Sequence, residues 1–377
     1  MKIKAAVLYE MGKQRPYDKS NPLRIEEVDL STPERDEVLV KIHAAGLCHS
    51  DLSVIDGNRP RPLPMVLGHE AAGEVMECGP GVTNLKPDDR VIFSYVPSCG
   101  HCMPCMTGKP ALCEPGGAAN AKGTLINGGI RLKNKDLHFL NHHLGVSAFA
   151  EYAIVSKHSL IKITQAVPYQ IAALFGCAVL TGVGAVVNTA KMVAGQTVLI
   201  VGLGGVGLAA LLGALSSGAG KVIVADINRQ KREKALELGA HVAIDPSEPN
   251  AIEKLKEEYT KGGADIALEF AGAVPALEFA FACTKRGGTT VTAGLPHPSK
   301  RLEISPVVLV GEERTLKGSY LGSCIPSRDI PAYMSLYQSG RLPVDKLLSQ
   351  ELQFEQINKG LETLAAGETI RQVIKFD

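Results

Sequence analysis

The run Thr197-Val-Leu-Ile-Val-Gly-Leu-Gly-Gly-Val-Gly207 constrains this chain more than any other stretch. Thr197–Val201 is apolar and mostly β-branched, as in a buried strand, and the Ala- and Leu-rich Val206–Ser217 reads as a helix. At the join, Gly202, Gly204 and Gly207 keep the G-x-G-x-x-G spacing. The first allows a tight turn, the second lets backbone approach a pyrophosphate, and the third lets helix pack on strand. Gly205 and Val206 open the helix, whose N–H groups and positive dipole end then face the phosphates. The next apolar run, Lys221–Ala225, ends at Asp226. A carboxylate there accepts hydrogen bonds from an adenine ribose and repels a 2′-phosphate, which predicts NAD rather than NADP. Lys231 is placed to line the same rim, whereas Arg229 reads as a solvated helix face.

The same rhythm continues. Strand-like runs at His241–Ile244, Asp265–Phe270, Thr289–Ala293 and Thr315–Tyr320 alternate with helix-like Arg229–Leu238, Ala251–Tyr259 and Pro275–Thr284. Alternation at this spacing predicts a doubly wound α/β domain with a parallel sheet covered on both faces. The first 175 residues are Gly- and Pro-rich with short alternating runs such as Glu37–His43 and Gly73–Glu77, the pattern of a β-rich domain of small sheets and long loops. The expected division is 1–178 with 321–377 as the β-rich domain and 179–320 as the dinucleotide-binding domain, with a cleft between them.

Of the 377 residues, 45% are hydrophobic and 21% charged, which excludes global disorder. Lys and Arg number 40 against 39 for Asp and Glu, and Trp is absent, so neither phosphate neutralisation nor base stacking supports a nucleic-acid partner. From Ala166 to Gly220 the only charge is Lys191, a stretch long enough to cross a bilayer. Repeated glycines and the change to β-branched residues at Thr197 mark it instead as buried helix followed by buried strand. With no signal-like apolar core near Met1, the expectation is a cytoplasmic protein without membrane contact.

There are nine cysteines. Cys99, Cys102, Cys105 and Cys113 form C-x2-C-x2-C-x7-C, in a lobe of about residues 95–115, with Gly100, Pro104 and Gly108 as turn residues. Four clustered thiolates fit a closed structural zinc site, and an iron–sulfur cluster is the competing reading. Cys48, His69 and Cys177 are dispersed, and each alone has an ordinary explanation as a core or satisfied side chain. Together they offer two thiolates and one imidazole, three ligands of a tetrahedron whose fourth corner a catalytic zinc keeps open. Asp51 could accept the free N–H of His69, and Glu70 could assist exchange at the open corner.

With these pieces in order, the chain resembles a zinc-dependent alcohol dehydrogenase of the medium-chain dehydrogenase/reductase superfamily over essentially its whole length. The most specific matches are Gly68-His-Glu-Ala-Ala-Gly73 through Val82, the four-cysteine lobe, Gly202–Gly207, and Gly367-Glu-Thr-Ile-Arg371. The resemblance implies a GroES-like β-rich catalytic domain plus a Rossmann domain, two zinc ions per chain, and hydride transfer between a primary or secondary alcohol and NAD. It assigns Cys48, His69 and Cys177 to the catalytic zinc and the four-cysteine lobe to the structural one. It gives His49 and Arg371 to the cofactor pyrophosphate and Thr181 to the nicotinamide. Ala293, Leu295, Ser319 and Leu321 fall to the carboxamide, and Ser50 is matched to the hydroxyl that starts a proton relay. Tyr95, Leu295 and Tyr320 match pocket-shaping positions. One departure stands out: Ser53 occupies the place of the relay's outer histidine, so proton exit falls to His49, water or another route. The long loop Glu114–Gly145 is similar to that of dimeric members, so a homodimer is expected, with a homotetramer as the alternative. A polyol or threonine dehydrogenase is the nearest rival within the fold, and a catalytically silent dinucleotide-binding protein the rival of another class.

Overall fold

The computed structural model describes residues 1–164 and 166–376. They form two compact units, Met1–Cys177 with Ile325–Met334 and the stretch from Leu348 to the C-terminus, and Ala178–Cys324 with Ser335–Leu347.

Numbered along the chain, the strands of the first unit are β1 (Lys2–Leu8), β2 (Leu23–Leu30), β3 (Glu37–Gly46), β4 (Met65–Val66), β5 (Glu70–Cys78), β6 (Arg90–Phe93), β7 (Leu132–Lys133), β8 (Phe139–His142), β9 (Tyr152–Ser156), β10 (Leu160–Lys162), β17 (Leu348–Gln353) and β18 (Arg371–Lys375). A closed barrel runs β1-β2-β7-β8-β4, and a sheet runs β10-β6-β5-β3-β18-β17 with β9 also on β3. Inward residues Ile3, Val7, Val28, Leu30, Val66, Leu132 and Leu140 form one buried cluster. Each such side chain contributes about 1.5–3 kcal/mol of transfer free energy, and closing the barrel leaves no edge to aggregate. The expected long loop at Glu114–Gly145 is instead ordered as the helix Glu114–Lys122 followed by β7 and β8. The strands are only two and four residues long, too short for an alternating pattern to announce them.

In the second unit, β11 (Thr197–Val201), β12 (Lys221–Ala225), β13 (Val242–Ile244), β14 (Ala264–Glu269), β15 (Thr284–Thr292) and β16 (Thr315–Gly318) stand in the order β13-β12-β11-β14-β15-β16. All neighbours are parallel. This is the doubly wound order of a dinucleotide-binding sheet. Helix Gly205–Ser216 is apolar on every side, and its residues from Gly207 to Ala214 are buried, as a central crossover helix must be. The expected helix over 251–259 begins as Ala251–Lys254 and continues through a wider turn, Leu255–Thr260. β15 starts at Thr284, earlier than the apolar run suggests, because Thr284 pairs with Ala264 before an irregularity in the register.

The sequence division puts Ser335–Leu347 with the β-rich domain, but the segment belongs to the second unit. Leu342, Val344 and Leu347 are fully buried, and the turn Val344–Leu347 lies on helix Gly205–Ser216, an apolar contact that outweighs chain continuity. The apolar helix Tyr169–Thr189 is long enough to cross a membrane, but 83% of its most apolar window is buried within the protein.

Candidate functional site

Strand pairing delivers two of the dispersed donors. β3 runs antiparallel to β5 with Gly46 opposite Glu70. Cys48 follows the end of β3 and His69 precedes β5, so this register brings both to one end of the sheet. A Cβ at Gly46 would stand 2.4 Å from Glu70 Oε1, so glycine is what leaves the carboxylate its place. Cys48 caps the helix His49–Ile55, with its N–H donating to Asp51 Oδ2 at 3.2 Å. Cys177 arrives on the helix that starts at Tyr169, inside a wide turn, Phe175–Val179. Such turns recur at functional sites because the extra residue re-aims the side chains. The ligand atoms of Cys48, His69 and Cys177 lie within 4.8 Å of one another, and all three residues are buried.

His69 Nδ1 is 3.1 Å from Asp51 Oδ1, while its Nε2 is buried with no hydrogen-bond partner. A buried polar atom left unsatisfied costs about 1–3 kcal/mol. A cation shared with two thiolates satisfies it, and the set matches zinc's preference for sulfur and imidazole nitrogen. The nearby Cys177 sulfur, and after it the His69 ring, draws the Cys48 thiol well below its usual range, and the same closeness to Cys48 pushes Cys177 well up.

Glu70 and Arg371 are buried against each other as an ion pair, Arg371 being 3% exposed. Burial pushes the Glu70 carboxyl up against the pull of the guanidinium. The family match directs Arg371 to a pyrophosphate and leaves Glu70 to assist the metal. The structure makes them partners, because β18 lies beside β3 with Val373 opposite Gly46. Arg371 Nε has no hydrogen-bond partner, so a donor is left over. Ser50 Oγ is 3.8 Å from Cys48 Sγ, and the Tyr95 ring stands edge-on to His69 with centroids 5.3 Å apart. Ser53 donates to the His49 carbonyl at 2.9 Å, so its hydroxyl is tied to its own helix. His49 is exposed.

The four-cysteine lobe closes as its spacing predicts. The four sulfurs of Cys99, Cys102, Cys105 and Cys113 lie within 4.8 Å of one another. Gly100 and Gly108 take left-handed backbone (φ 82° and 77°). Cys113 receives the Cys99 N–H at 3.2 Å and the Gly116 N–H at 3.4 Å, and the Cys102 N–H reaches Cys99 Sγ at 3.3 Å. The backbone N–H of Cys105 leads in lowering Cys102 to about 6, while burial pushes Cys105 up to about 12. Four thiolates so close require a shared cation to ionise together.

In the second unit, Gly202 has φ 89°, a Cβ at Gly204 would meet nothing within 4 Å, and one at Gly207 would stand 1.9 Å from the Gly202 carbonyl oxygen. The loop therefore leaves an open cradle above a helix packed hard on its strand, which fits a dinucleotide phosphate over Gly205 and Val206. Asp226 accepts the Leu203 N–H at 2.7 Å and the Asn228 N–H at 2.8 Å, so the loop itself orients the carboxylate. Lys231 is half-buried beyond it on helix Arg229–Glu237, and Arg229 pairs with Glu233 on the exposed face. Arg232, which the sequence reading does not single out, donates to the Asp226 carbonyl at 2.6 Å and to Asp245 at 2.8 Å, bracing the strand end. The Ala293 and Ser319 N–H groups donate to the Glu269 and Thr292 carbonyls at 2.9 and 2.8 Å, so these two backbone donors are already engaged. Thr181 Oγ1 is buried without a partner, the Leu321 side chain is buried, and Leu295 and Tyr320 are exposed.

The chain's relatives agree with this arrangement. Residues 34–165 match the family described as alcohol dehydrogenase GroES-like domain, and residues 205–339 match zinc-binding dehydrogenase. A Mycobacterium tuberculosis protein named "Putative alcohol dehydrogenase D" is 41% identical over 99% of this chain and all of its own. Among solved structures, an alcohol dehydrogenase zinc-binding domain protein from Burkholderia ambifaria superposes with TM-score 0.94 at 33% identity, covering 100% of this chain and 99% of its own. Benzyl alcohol dehydrogenase from Acinetobacter calcoaceticus superposes with TM-score 0.93 at 33% identity over 100% of both chains. With a GroES-like domain, a Rossmann domain and a zinc-type donor set on one chain, this protein belongs to the zinc-dependent alcohol dehydrogenases of the medium-chain dehydrogenase/reductase superfamily.

Proposed function

We propose that the protein is an NAD-dependent dehydrogenase of primary or secondary alcohols, reducing the aldehyde or ketone in reverse, with two zinc ions per chain. The observation that carries this reading is the buried, unpartnered His69 Nε2 aimed among Cys48 and Cys177, since a centre without a metal has no use for it. When bound, zinc supplies Lewis-acid polarisation of the substrate oxygen and NAD accepts the hydride. Cys48, His69 and Cys177 hold the metal, and Asp51 fixes the His69 tautomer. Ser50, beside Cys48, relays the substrate's proton, passing its own hydroxyl proton outward as it accepts the new one. With Ser53 tied to backbone, exposed His49 hands that proton to solvent. Arg371 and His49 offer donors to the cofactor pyrophosphate, and Asp226 binds the ribose diol. Tyr95 beside His69 supports an apolar substrate, and the likeness to a benzyl alcohol dehydrogenase makes an arylmethanol the first compound to assay.

The test is metal analysis together with NAD and NADP reduction across linear, branched, aromatic and polyol alcohols. Two zinc ions per chain with no turnover of any of them would sink the enzymatic reading in favour of a silent binding protein. Asp226→Ser is expected to raise KM for NAD by about tenfold or more and to narrow the preference over NADP, because it removes both the diol acceptor and the charge facing a 2′-phosphate. Equal use of both cofactors by the unaltered enzyme would contradict the role given to Asp226.

We propose a cytoplasmic location, since six of the nine cysteines fall into the two metal-type donor sets, which a reducing compartment keeps as thiols. We also propose a homodimer: β16 is an edge strand of the parallel sheet, and the neighbouring helix Pro306–Gly311 exposes Val307 and Val310 at 75% and 77%.

A further inference from the structure

One buried side chain beside the metal-binding set has no role in the account above. His143 follows β8 at the start of a tight turn and is 1% exposed. Its Nδ1 lies 3.3 Å from Asp51 Oδ1, the oxygen that also faces His69 Nδ1 at 3.1 Å and accepts the Gly68 N–H at 3.2 Å. The His143 ring stands edge-on to His69, with centroids 5.5 Å apart and planes at 87°. Asp51 is completely buried, so His69 Nδ1 and the Gly68 N–H on Oδ1, with the Cys48 N–H on Oδ2, replace its water, while His143 Nδ1 is buried beside them with no hydrogen-bond partner of its own.

The turn that carries His143 is laced to the segment that carries His69. The His143 N–H donates to Ser147 Oγ at 3.0 Å, and the Ser147 hydroxyl donates to the Val66 carbonyl at 2.9 Å. The Ala148 and Phe149 N–H groups donate to the Gly68 and Leu67 carbonyls, both at 3.0 Å. The two imidazoles therefore sit in one backbone frame on either side of a single carboxylate. The ligand atoms of Asp51, His69 and His143 also lie within 4.8 Å of one another, but Asp51 Oδ1 already faces the Gly68 N–H and His69 Nδ1, and a set without thiolates would compete with Cys48 and Cys177 for the same imidazole.

If His69 is to turn Nε2 to a metal, its proton must sit on Nδ1 and be donated to Asp51. That carboxylate orients the ring only while it is itself held, and the second imidazole nitrogen within reach of Oδ1 is His143 Nδ1, 3.3 Å away, buried and otherwise unpartnered. We propose that His143 is a positioning residue of the metal centre, donating Nδ1–H to Asp51 and thereby fixing the carboxylate that aims His69. The inference rests on Cys48, His69 and Cys177 being zinc ligands.

Cobalt(II) substitution of the full-length protein tests it. His143→Phe keeps a ring and removes both nitrogens, and His143→Asn returns an N–H donor near the place of Nδ1. Cobalt at this centre is identified as the portion of uptake, and of visible absorption, that Cys48→Ala eliminates. In competition with a chelator, His143→Phe is expected to weaken cobalt binding there by about tenfold or more. It should also shift the cobalt absorption bands, with His143→Asn recovering much of both. Cobalt at the four-cysteine lobe should be unchanged throughout. Should the Phe protein not fold, His143→Leu makes the same removal with less bulk. Wild-type affinity and spectrum in the folded Phe or Leu protein would overturn the proposal alone. Cobalt uptake that Cys48→Ala leaves unaltered would overturn the metal reading on which it stands.

Discussion

Cys48→Ala is expected to lower kcat/KM for alcohol oxidation by on the order of 10³-fold or more. Lewis-acid polarisation contributes several kcal/mol to such a reaction, and each 1.36 kcal/mol is a factor of ten in rate. The loss should fall on turnover while the circular dichroism spectrum and NAD binding persist. Physically, the sulfur sits at the cap of one short helix, whereas the glycine loop and Asp226 lie in the other compact unit. Metal analysis should show one zinc lost per chain, since the four-cysteine lobe is built from separate residues. Alcohol oxidation at the wild-type rate by the Cys48→Ala protein would refute the assignment of Cys48 as a ligand.

Cys102→Ser should act on stability instead. The lobe has almost no apolar core of its own: helix Met103–Met106 contains no buried residue, and Met103 and Met106 are 64% and 63% exposed. Four converging sulfurs are what hold it, so losing one ligand releases the metal and the turns it organises. Loss of a bound metal belongs to the few single changes that cost more than about 4 kcal/mol. For a unit of this size that corresponds to a fall in Tm of roughly 10 °C or more. Differential scanning calorimetry with zinc analysis reads both effects, and a protein keeping its Tm after losing that zinc would remove the structural role from the lobe.

These two expectations differ in how far the sequence supports them. The lobe is a local feature, with its four ligands from Cys99 to Cys113 and turn glycines between them, and it folds as the spacing implies. The glycine loop is local too: Gly202 takes left-handed backbone and Gly207 has no room for a Cβ against the Gly202 carbonyl. The central sheet strands were legible because parallel strands buried on both faces are continuous apolar runs. Short β7 and β8 were not, and neither was the allegiance of Ser335–Leu347, which an apolar contact with a helix far along the chain decides.

The catalytic set lies between these cases. Cys48, His69 and Cys177 could be grouped from the sequence only through likeness to a family, since no spacing rule joins residues so far apart. What the sequence alone determined is the chemistry available: local hydrogen bonding, turn geometry and apolar periodicity act over a few residues and leave their mark on the string. Which distant side chains meet was decided only by the tertiary structure. The β3–β5 register sets Cys48 beside His69, β18 carries Arg371 to Glu70, and the turn after β8 brings His143 to Asp51. Such pairings arise because buried polar groups must be satisfied by whatever the packed chain brings near them, and that requirement is expressed in space, not along the chain.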